Sequence, residues 1–445
     1  SSPQEVSRAA AAAAAALDGW RRTPVTERVQ YIFRLKARLE DRLEDFAAAI
    51  TAEHGKVLAE ARGEVRRAID NLDMACGAPS LMQGDASEDV SRGIDEVMIR
   101  QPVGVCAAIV PFNFPLMIPC WFLPSALVTG NTFVLKASER TPLTAQLLFQ
   151  ELEGLGLPDG VVNLLHGGVD TANALIDHPA VRAVSFVGST PAARAVYARA
   201  TSLGKRAQAQ GGARNAIVVL PDAALDLAAD VTAESAFGNA GQRCLAGGLA
   251  IAVGNVGKDF TEAVVDLAQS RVVGPGAAAG SQIGPVISGQ SRSRIEDLVT
   301  MAHRDGATLA VDGRAAVVDG YGDGFYVRPT VITGVAAEAT IAKTEVFGPV
   351  LTVLEATDLD QALRMVNGGD FGNMACVFTE SGRAARRFRY EAQAGNIGIN
   401  VGVAQPMPFF PFSGWKDSFF GDLHAHGRHG IEFYTQTKVV VERWQ

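Results

Sequence analysis

The sequence predicts an α/β protein with two open, Rossmann-like sheets and a small additional β element that joins subunits. Short apolar runs alternate with amphipathic segments from Gly104 to Val187, and a second series of the same kind begins at Ala216. Alternating strand and helix signals are typical of a parallel sheet with helices on both faces. Outside both series, residues 88–100 read as a hairpin and Phe433–Trp444 as an edge strand.

The individual elements follow from the hydrophobic periodicity. Residues 3–75 are predicted to be helical, because charged and apolar residues mix at helical spacing. The first series then predicts a strand at 104–110, a helix at 121–129, a strand at 132–136, a helix at 141–154, a strand at 161–165, a helix at 170–177 and a strand at 183–187. The second predicts strands at 216–220, 250–253 and 350–354 and helices at 258–269 and 291–304.

The alanine run near the N-terminus is predicted to be a helix rather than a signal peptide. Ser2 suits the N-cap, Pro3 suits the first turn, and Glu5 completes a capping box. Alanine favours helices but inserts weakly into membranes. The run therefore belongs to the folded protein.

Composition and charge exclude several classes of function. Hydrophobic residues make up 48% of the 445 residues, charged residues 20%, and the net charge is −8. A globular protein is expected, and nucleic acid is not an expected partner. The five cysteines form no C-x-x-C pair, which predicts free thiols in the reducing cytoplasm.

Residues 101–135 carry no charge, so a membrane span is an alternative for them. Prolines and two asparagines interrupt this stretch, and they would leave polar groups unpaired in lipid. We expect a buried strand, loop, helix and strand here, and no membrane partner.

Cys244 is a candidate nucleophile. It follows a glycine-containing turn and stands beside Arg243, and a nearby cation lowers the pKa of a thiol. A small buried core residue is the alternative. Asn113, between two aromatic residues and two prolines, could donate to a developing oxyanion, or else cap a loop.

Five motifs in order resemble those of the aldehyde dehydrogenase superfamily over nearly the whole chain. They are Pro111–Pro115, Gly130–Lys136, Ser185–Thr190, Gly241–Cys244 and Glu345–Val350. Within the superfamily, residues 409–416, 421–424 and 433–435 are similar to the methylmalonate-semialdehyde dehydrogenases, which use NAD and coenzyme A and release CO2.

The resemblance implies roles for the matching positions. Cys244 would attack an aldehyde while Asn113 and the Cys244 backbone N–H hold the oxyanion. Arg67 and Arg243 would bind the carboxylate of a small semialdehyde acid, although Arg67 alone would read as a surface residue. The positions implied for NAD are Val110, Phe112, Lys136, Glu139, Arg140, Ser189, Gly211 and Glu345.

The resemblance also implies a domain organisation. Residues 1–86 and 101–211 are expected to form an NAD-binding domain, 212–412 a catalytic domain, 87–100 and 431–445 oligomerisation strands of a homodimer or homotetramer, and 413–430 a returning segment. Family members normally have strands before the first helix, whereas this sequence begins at that helix. We expect this difference to affect sheet edges and not the active site.

Alternatives remain for the reaction and for metal binding. Gln210 stands where hydrolytic relatives carry a glutamate that activates water, which predicts release of the product to coenzyme A. A hydrolytic enzyme and a non-catalytic family member are the rival hypotheses. His424, His426 and His429 lie in a glycine-rich stretch without a carboxylate or cysteine partner, so no metal site is expected.

Overall fold

The computed structural model describes residues 1–444 and confirms the α/β class. Its helices are α1 (Pro3–Arg22), α2 (Val25–Asp41), α3 (Leu43–His54), α4 (Leu58–Cys76), α5 (Ala78–Leu81), α6 (Met117–Val128), α7 (Pro142–Glu153), α8 (Val169–Asp177), α9 (Thr190–Ser202), α10 (Leu225–Phe237), α11 (Gly257–Ser270), α12 (Gly289–Arg304), α13 (Thr340–Lys343), α14 (Leu359–Asn367), α15 (Gly382–Glu391) and α16 (Gly427–Phe433).

Its strands are β1 (Ala86–Ser91), β2 (Ile94–Pro102), β3 (Val105–Ile109), β4 (Thr132–Ala137), β5 (Val162–His166), β6 (Val181–Val187), β7 (Arg206–Gln210), β8 (Ala216–Val219), β9 (Leu249–Val253), β10 (Thr308–Val311), β11 (Thr330–Thr333), β12 (Val350–Ala356), β13 (Phe371–Gly372), β14 (Met374–Phe378), β15 (Asn396–Ile399), β16 (Trp415–Lys416), β17 (Phe419–Phe420) and β18 (Thr435–Glu442).

The first helix begins with the predicted capping box. The Ser2 hydroxyl accepts from the Glu5 backbone N–H at 3.3 Å, and the Glu5 carboxylate accepts from the Ser2 N–H at 2.7 Å. Both groups satisfy donors that the start of a helix would otherwise leave unpaired. The buried face of α1 carries Val6, Ala10 and Ala13, so the alanine run packs inside the protein.

The first sheet has the strand order β17-β7-β6-β3-β4-β5. Strands β3 to β7 run parallel, and β17 pairs antiparallel with β7. The segments that follow β3, β4, β6 and β7 therefore meet at one edge of the sheet, where open α/β sheets bind ligands. These segments carry most of the predicted cofactor positions.

The second sheet has the strand order β10-β11-β12-β9-β8-β14-β15 and is parallel except for β10. One buried cluster contains side chains from both sheets, among them Cys106, Val187, Ile217 and Cys376. The two sheets thus share a core, and residues near this junction have little freedom to move.

Helix α6 explains the uncharged stretch, because every one of its twelve residues is buried. It starts at Met117, before the predicted start at Trp121. Pro119 lies in its first turn, which tolerates proline. None of the helices formed by residues 1–444 is long and apolar enough to cross a membrane.

A third sheet contains β1, β2 and β18. The hairpin turn at Gly93 (φ 72°) lies where the sequence predicts it, and β2 continues to Pro102. The predicted edge strand began too early, because Phe433 ends helix α16 and the strand starts at Thr435. Gly427, Gly430 and Ile431 are buried at helical spacing, which favours the helix.

Candidate active site

Cys244 lies on the loop between α10 and β9, the nucleophile loop (residues 238–248). Two side-chain amides hold its backbone: Asn215 Nδ2 and Asn373 Nδ2 donate to the Cys244 carbonyl at 2.8 and 2.9 Å. Asn239 and Ala240, with φ of 55° and 51°, form the tight turn before it. The loop is therefore fixed from both sides, and the half-buried Cys244 has a defined place.

The Cys244 thiol is not activated by Arg243, contrary to the expectation from sequence. Burial and then the charge of Glu345 raise the pKa of Cys244 to about 12, against a lesser lowering by the backbone N–H groups of Cys244 and Leu245. The Arg243 guanidinium points instead to Glu60, at 2.9 Å, and to Glu234, at 3.7 Å. The thiol is therefore protonated at neutral pH.

Asn113 reaches the nucleophile loop from the other sheet. It is 4% exposed, and its Nδ2 donates to the carbonyl oxygen of Gln242 at 3.0 Å. An amide nitrogen has two N–H groups, so the second is available to another acceptor. The structure thus brings together the amide and the cysteine that the sequence singled out separately.

Helix α4 carries three charged residues on successive turns of one face. Glu60, Glu64 and Arg67 have the i, i+4, i+7 spacing of one helix face. Glu60 binds Arg243, whereas Arg67 is 35% exposed, with Nη1 at 3.4 Å from Asp70 Oδ2 and 3.0 Å from the Met407 sulfur. Arg243 therefore binds at the Glu60 turn of this helix face, and Arg67 lies two turns further along it.

Sequence reasoning missed Glu64 and its partner Lys56, which are fully buried and lie directly behind Asn113. A signal was present in the sequence. Glu64 stands beside the apolar positions Ala61, Val65 and Ala68 of an amphipathic helix, and a charged residue on such a face is expected to be paired.

Glu345 approaches the site from the loop before β12. Its Oε1 accepts from the Ala213 N–H at 2.8 Å. Burial raises the pKa of Glu345 to about 7, while the Ala213 N–H, Arg294 and Arg214 oppose that rise. A Cβ added at Gly212 would collide with Glu345 Oε2, so the glycine lets the carboxylate approach the backbone closely. Glu345 can hold or release a proton near neutral pH.

Gln210 ends strand β7 and is 3% exposed. Strand alternation places it on the same side of β7 as Gln208, whose amide contacts Ser185 at 2.9 Å. Among residues 1–444, neither Nε2 nor Oε1 of Gln210 has a hydrogen-bond partner. A neutral amide at this position cannot act as a general base towards water.

The predicted cofactor positions gather at the edge of the first sheet. Lys136 Nζ lies 3.6 Å from Glu139 Oε2, and burial lowers the pKa of Lys136. The Phe112 ring lies 6.0 Å from both the His54 and the Phe347 rings. Val110 is buried in the same loop, whereas Glu139 and the neighbouring Arg140 are exposed.

The start of helix α9 completes this edge. Ser189 is exposed at the N-cap, and within the described chain its hydroxyl makes no capping hydrogen bond. A Cβ added at Gly211 would lie 2.7 Å from the Asp417 carbonyl and 2.9 Å from Thr190 Oγ1. The exposed first turn of a helix favours anions such as a pyrophosphate.

The C-terminal histidines His424 and His426 contact other protein groups instead of facing a shared metal position. His424 Nε2 lies 3.0 Å from the Gly414 carbonyl, and the His426 ring packs on Trp121 at 4.6 Å. Across residues 1–444, no group of three His, Cys, Asp or Glu side chains converges as metal ligands would.

The comparisons with known proteins identify the family. The aldehyde dehydrogenase family model matches residues 1–440, so the chain belongs to the aldehyde dehydrogenase family and is an oxidoreductase that acts on aldehydes. This confirms the family that the five motifs indicated.

Particular relatives are more specific. A malonate-semialdehyde dehydrogenase of Halalkalibacterium halodurans is 44% identical over 100% of this chain and 91% of its own length. The crystal structure of methylmalonate-semialdehyde dehydrogenase from Oceanimonas doudoroffii has a TM-score of 0.99 and 42% identity, covering 100% of this chain and 91% of its own. A structure from Sinorhizobium meliloti 1021 complexed with NAD has a TM-score of 0.98 and 37% identity, with the same coverage.

Proposed function

We propose that this enzyme oxidises malonate or methylmalonate semialdehyde with NAD and coenzyme A, giving acetyl- or propionyl-coenzyme A, CO2 and NADH. The observation that carries the coenzyme A step is the buried amide of Gln210 at the end of β7, where the family resemblance implies a glutamate in hydrolytic relatives. The names of the relatives that match this chain along its whole length support the choice of substrate.

In the first half-reaction, the Cys244 sulfur attacks the aldehyde carbon and gives up its proton. Glu345 is the group suited to receive that proton, because its pKa is about 7 and its charge is felt at the sulfur. The Asn113 amide and the Cys244 backbone N–H hold the resulting oxyanion. Loss of hydride from the tetrahedral carbon leaves a thioester on Cys244.

NAD supplies the hydride acceptor. Lys136 and Glu139 would hold its adenosine ribose, with Val110, Phe112 and Arg140 beside them. Ser189 and the first turn of α9 would hold the pyrophosphate, and Glu345 the nicotinamide ribose. The residues present fit this group, because α9 offers an exposed first turn and a Cβ at position 211 would fill the adjoining space.

The substrate carboxylate is proposed to bind Arg67 and Arg243. Arg67 is partly exposed, and its contact to Asp70 is long, at 3.4 Å. Arg243 is already held by Glu60 at 2.9 Å, which fixes the guanidinium beside the nucleophile loop. A carboxylate can therefore take Arg67 as its main partner and approach the remaining N–H groups of Arg243.

In the second half-reaction, the malonyl-type thioester loses CO2. The C–C bond electrons form an enolate, which the Asn113 and backbone donors stabilise before protonation on carbon. Coenzyme A thiolate then displaces Cys244 from the acetyl or propionyl thioester. An amide at position 210 cannot take a proton from water, whereas a thiol attacks as its thiolate without that help.

We propose that the working form is a cytoplasmic homodimer or homotetramer joined through β1, β2 and β18. Val439 and Val441 on β18 are 59% and 62% exposed. Apolar side chains on an exposed edge strand favour pairing with another chain.

The test is product identification by mass spectrometry after incubation with malonate semialdehyde, NAD and coenzyme A. Acetyl-coenzyme A, CO2 and NADH are expected in equal amounts. Steady-state NADH production is measured with and without coenzyme A after the first-turnover burst. An equal rate in both, with free acid accumulating, would establish the hydrolytic rival, and the absence of NADH the non-catalytic one.

A further inference from the structure

An ion pair with no access to solvent lies behind the predicted oxyanion-binding loop. The side chains of Lys56 and Glu64 are both 0% exposed, and Lys56 Nζ lies 2.8 Å from Glu64 Oε2. Burying two charges costs several kcal/mol per ion before their attraction is counted, and apolar residues of the same volume often stabilise a fold as well or better. Stability alone therefore does not account for this pair.

The Lys56 ammonium has three partners. One N–H donates to Glu64, a second donates to the Asn113 carbonyl oxygen at 2.7 Å, and the ammonium lies 4.2 Å from the centre of the Phe114 ring. An ammonium has three donors, and here they are directed to a carboxylate, a carbonyl and an aromatic face. Two of these three partners, the Asn113 carbonyl and the Phe114 ring, belong to the loop that carries Asn113.

Glu64 holds the other end of the same loop. Its Oε1 accepts from the backbone N–H groups of Leu116 and Met117 at 2.8 and 3.2 Å, where helix α6 begins. A carboxylate at the start of a helix is favoured by the unpaired N–H groups and the helix dipole. The pair thus fixes residues 113–117 at both ends.

The support for the pair is itself rigid. Gly55, with φ 92°, packs so closely on Pro285 that an added Cβ would lie 2.6 Å from its ring. The Leu58 N–H donates to the Gly276 carbonyl at 3.1 Å, and a Cβ at Gly276 would collide with the Lys56 backbone. The turn that carries Lys56 is therefore clamped against the half of the molecule that contains Cys244.

We propose that Lys56 is a positioning residue that sets the Asn113 amide relative to Cys244. Its hydrogen bond fixes the Asn113 backbone while the side-chain amide reaches the nucleophile loop at Gln242. This inference rests on the oxyanion role of Asn113 in the proposed function. A shift of about 1 Å in such a donor can lower a rate by about 10²-fold.

The test variant is Lys56→Met with Glu64→Gln. It removes both charges together, and the glutamine can still accept from Leu116 and Met117. The control is Lys36→Met with Asp73→Asn, which removes another 2.8 Å ion pair that also involves α4 but lies on its solvent side. We expect the test variant to melt cooperatively and bind NAD as the parent does, while its pre-steady-state NADH burst slows roughly 10- to 100-fold. The control should keep its burst.

A double-mutant cycle with Asn113→Ala separates positioning from general damage. If Lys56 acts through Asn113, the combined variant is no slower than Asn113→Ala alone. A folded test variant with an unchanged burst would overturn the proposal. So would a combined variant whose burst is slowed by the product of the two separate effects, that of the ion-pair variant and that of Asn113→Ala. If Asn113→Ala by itself leaves the burst intact, the oxyanion role fails and this inference fails with it.

A second variant keeps the test decisive if removal of the pair unfolds the protein. Lys56→Arg with Glu64→Asp retains the ion pair and roughly the same total volume but moves the cation away from the Asn113 carbonyl. The same slower burst is expected with any simple aldehyde. A normal burst in this folded variant would show that the Asn113 contact has no catalytic consequence.

Discussion

Asn113 and Gln242 join the two halves of the candidate site through a single hydrogen bond, 3.0 Å from Nδ2 to the carbonyl oxygen. Asn113 follows a strand of the first sheet, and Gln242 lies two residues before Cys244 on a loop of the second half. The bond uses one N–H of the amide, and in the proposed function the other donates to the oxyanion. Placement of the amide against the loop that carries Cys244 thus depends on the packing between the halves.

Replacement of the nucleophile is the most direct prediction. Cys244→Ser should abolish NADH formation and leave NAD binding unchanged, because a serine hydroxyl is far less acidic and less nucleophilic than a thiol. Stopped-flow absorbance measures the burst, and calorimetry measures binding. Cys76→Ser is the matched control, since Cys76 is the other half-buried cysteine. Wild-type turnover in Cys244→Ser would rule out the covalent mechanism.

The charge of Glu345 should control the reactivity of the free thiol. Burial and this charge raise the pKa of Cys244 to about 12, and the pKa of Glu345 is about 7. Glu345→Gln removes the charge and lowers the thiol pKa. We expect Cys244 alkylation by iodoacetamide to become roughly three- to tenfold faster at pH 8–9.

Below about pH 6, iodoacetamide should alkylate Cys244 equally fast in the parent and in Glu345→Gln. At that pH Glu345 is protonated in the parent as well, so neither protein carries the charge. Peptide mass spectrometry reports modification of Cys244 separately from the other cysteines. Glu338→Gln, at an exposed glutamate of the preceding segment, is the control and should behave as the parent. An unchanged pH profile in Glu345→Gln would show that this carboxylate does not reach the sulfur.

Cofactor choice should depend on Glu139. Its carboxylate is 56% exposed and lies 3.6 Å from Lys136 Nζ, where it can accept from ribose hydroxyls and repel a 2′-phosphate. The enzyme should prefer NAD, and Glu139→Gln should improve kcat/KM for NADP by roughly fivefold, because one repulsion of about 1 kcal/mol is lost. Glu153→Gln on α7 is the control. Equal use of NAD and NADP by the parent would contradict the assignment.

Recognition of the substrate carboxylate is expected to depend on Arg67. Arg67→Ala should raise KM for a semialdehyde acid about 10- to 100-fold, because a charge-assisted hydrogen bond contributes about 1.5–3 kcal/mol. KM for propanal, which lacks the carboxylate, should hardly change. Arg66→Ala, at the exposed neighbouring position, controls for the loss of a positive charge. An equal effect on both aldehydes would exclude Arg67 from the site.

Much of the fold was predictable, because each strand and helix of the sheets has its own local period. The regions misjudged were those in which burial overrides local signals. Helix α6 begins four residues before the predicted Trp121, with Pro119 inside its first turn, and the predicted terminal strand includes Phe433, which belongs to a helix. Such boundaries depend on tertiary packing, which a periodic pattern does not contain.

The site was predictable only for residues inside recognisable motifs. Adjacency suggested that Arg243 acts on Cys244, but its guanidinium pairs with Glu60, 183 positions earlier in the chain. Lys56 and Glu64 lie outside the motifs, and the apolar helix face around Glu64 predicts a buried partner for it without identifying Lys56. Side-chain direction and distant pairing therefore had to come from the structure.

The identity of residue 210 should decide where the acyl group goes. Gln210→Glu restores a carboxylate at the end of β7, where the native amide is buried and, within residues 1–444, unpartnered. Desolvation raises the pKa of such a carboxyl group, which suits it to take a proton from water. We expect hydrolysis of the Cys244 thioester without coenzyme A to rise roughly 10²-fold or more, since general-base help contributes about 10²–10⁴.

Steady-state NADH formation without coenzyme A measures this hydrolysis, with free acid quantified by mass spectrometry. Gln208→Glu, on the same side of the strand but bonded to Ser185, is the control and should gain no hydrolysis. If Gln210→Glu stays dependent on coenzyme A, the choice between water and thiol is made elsewhere in the site.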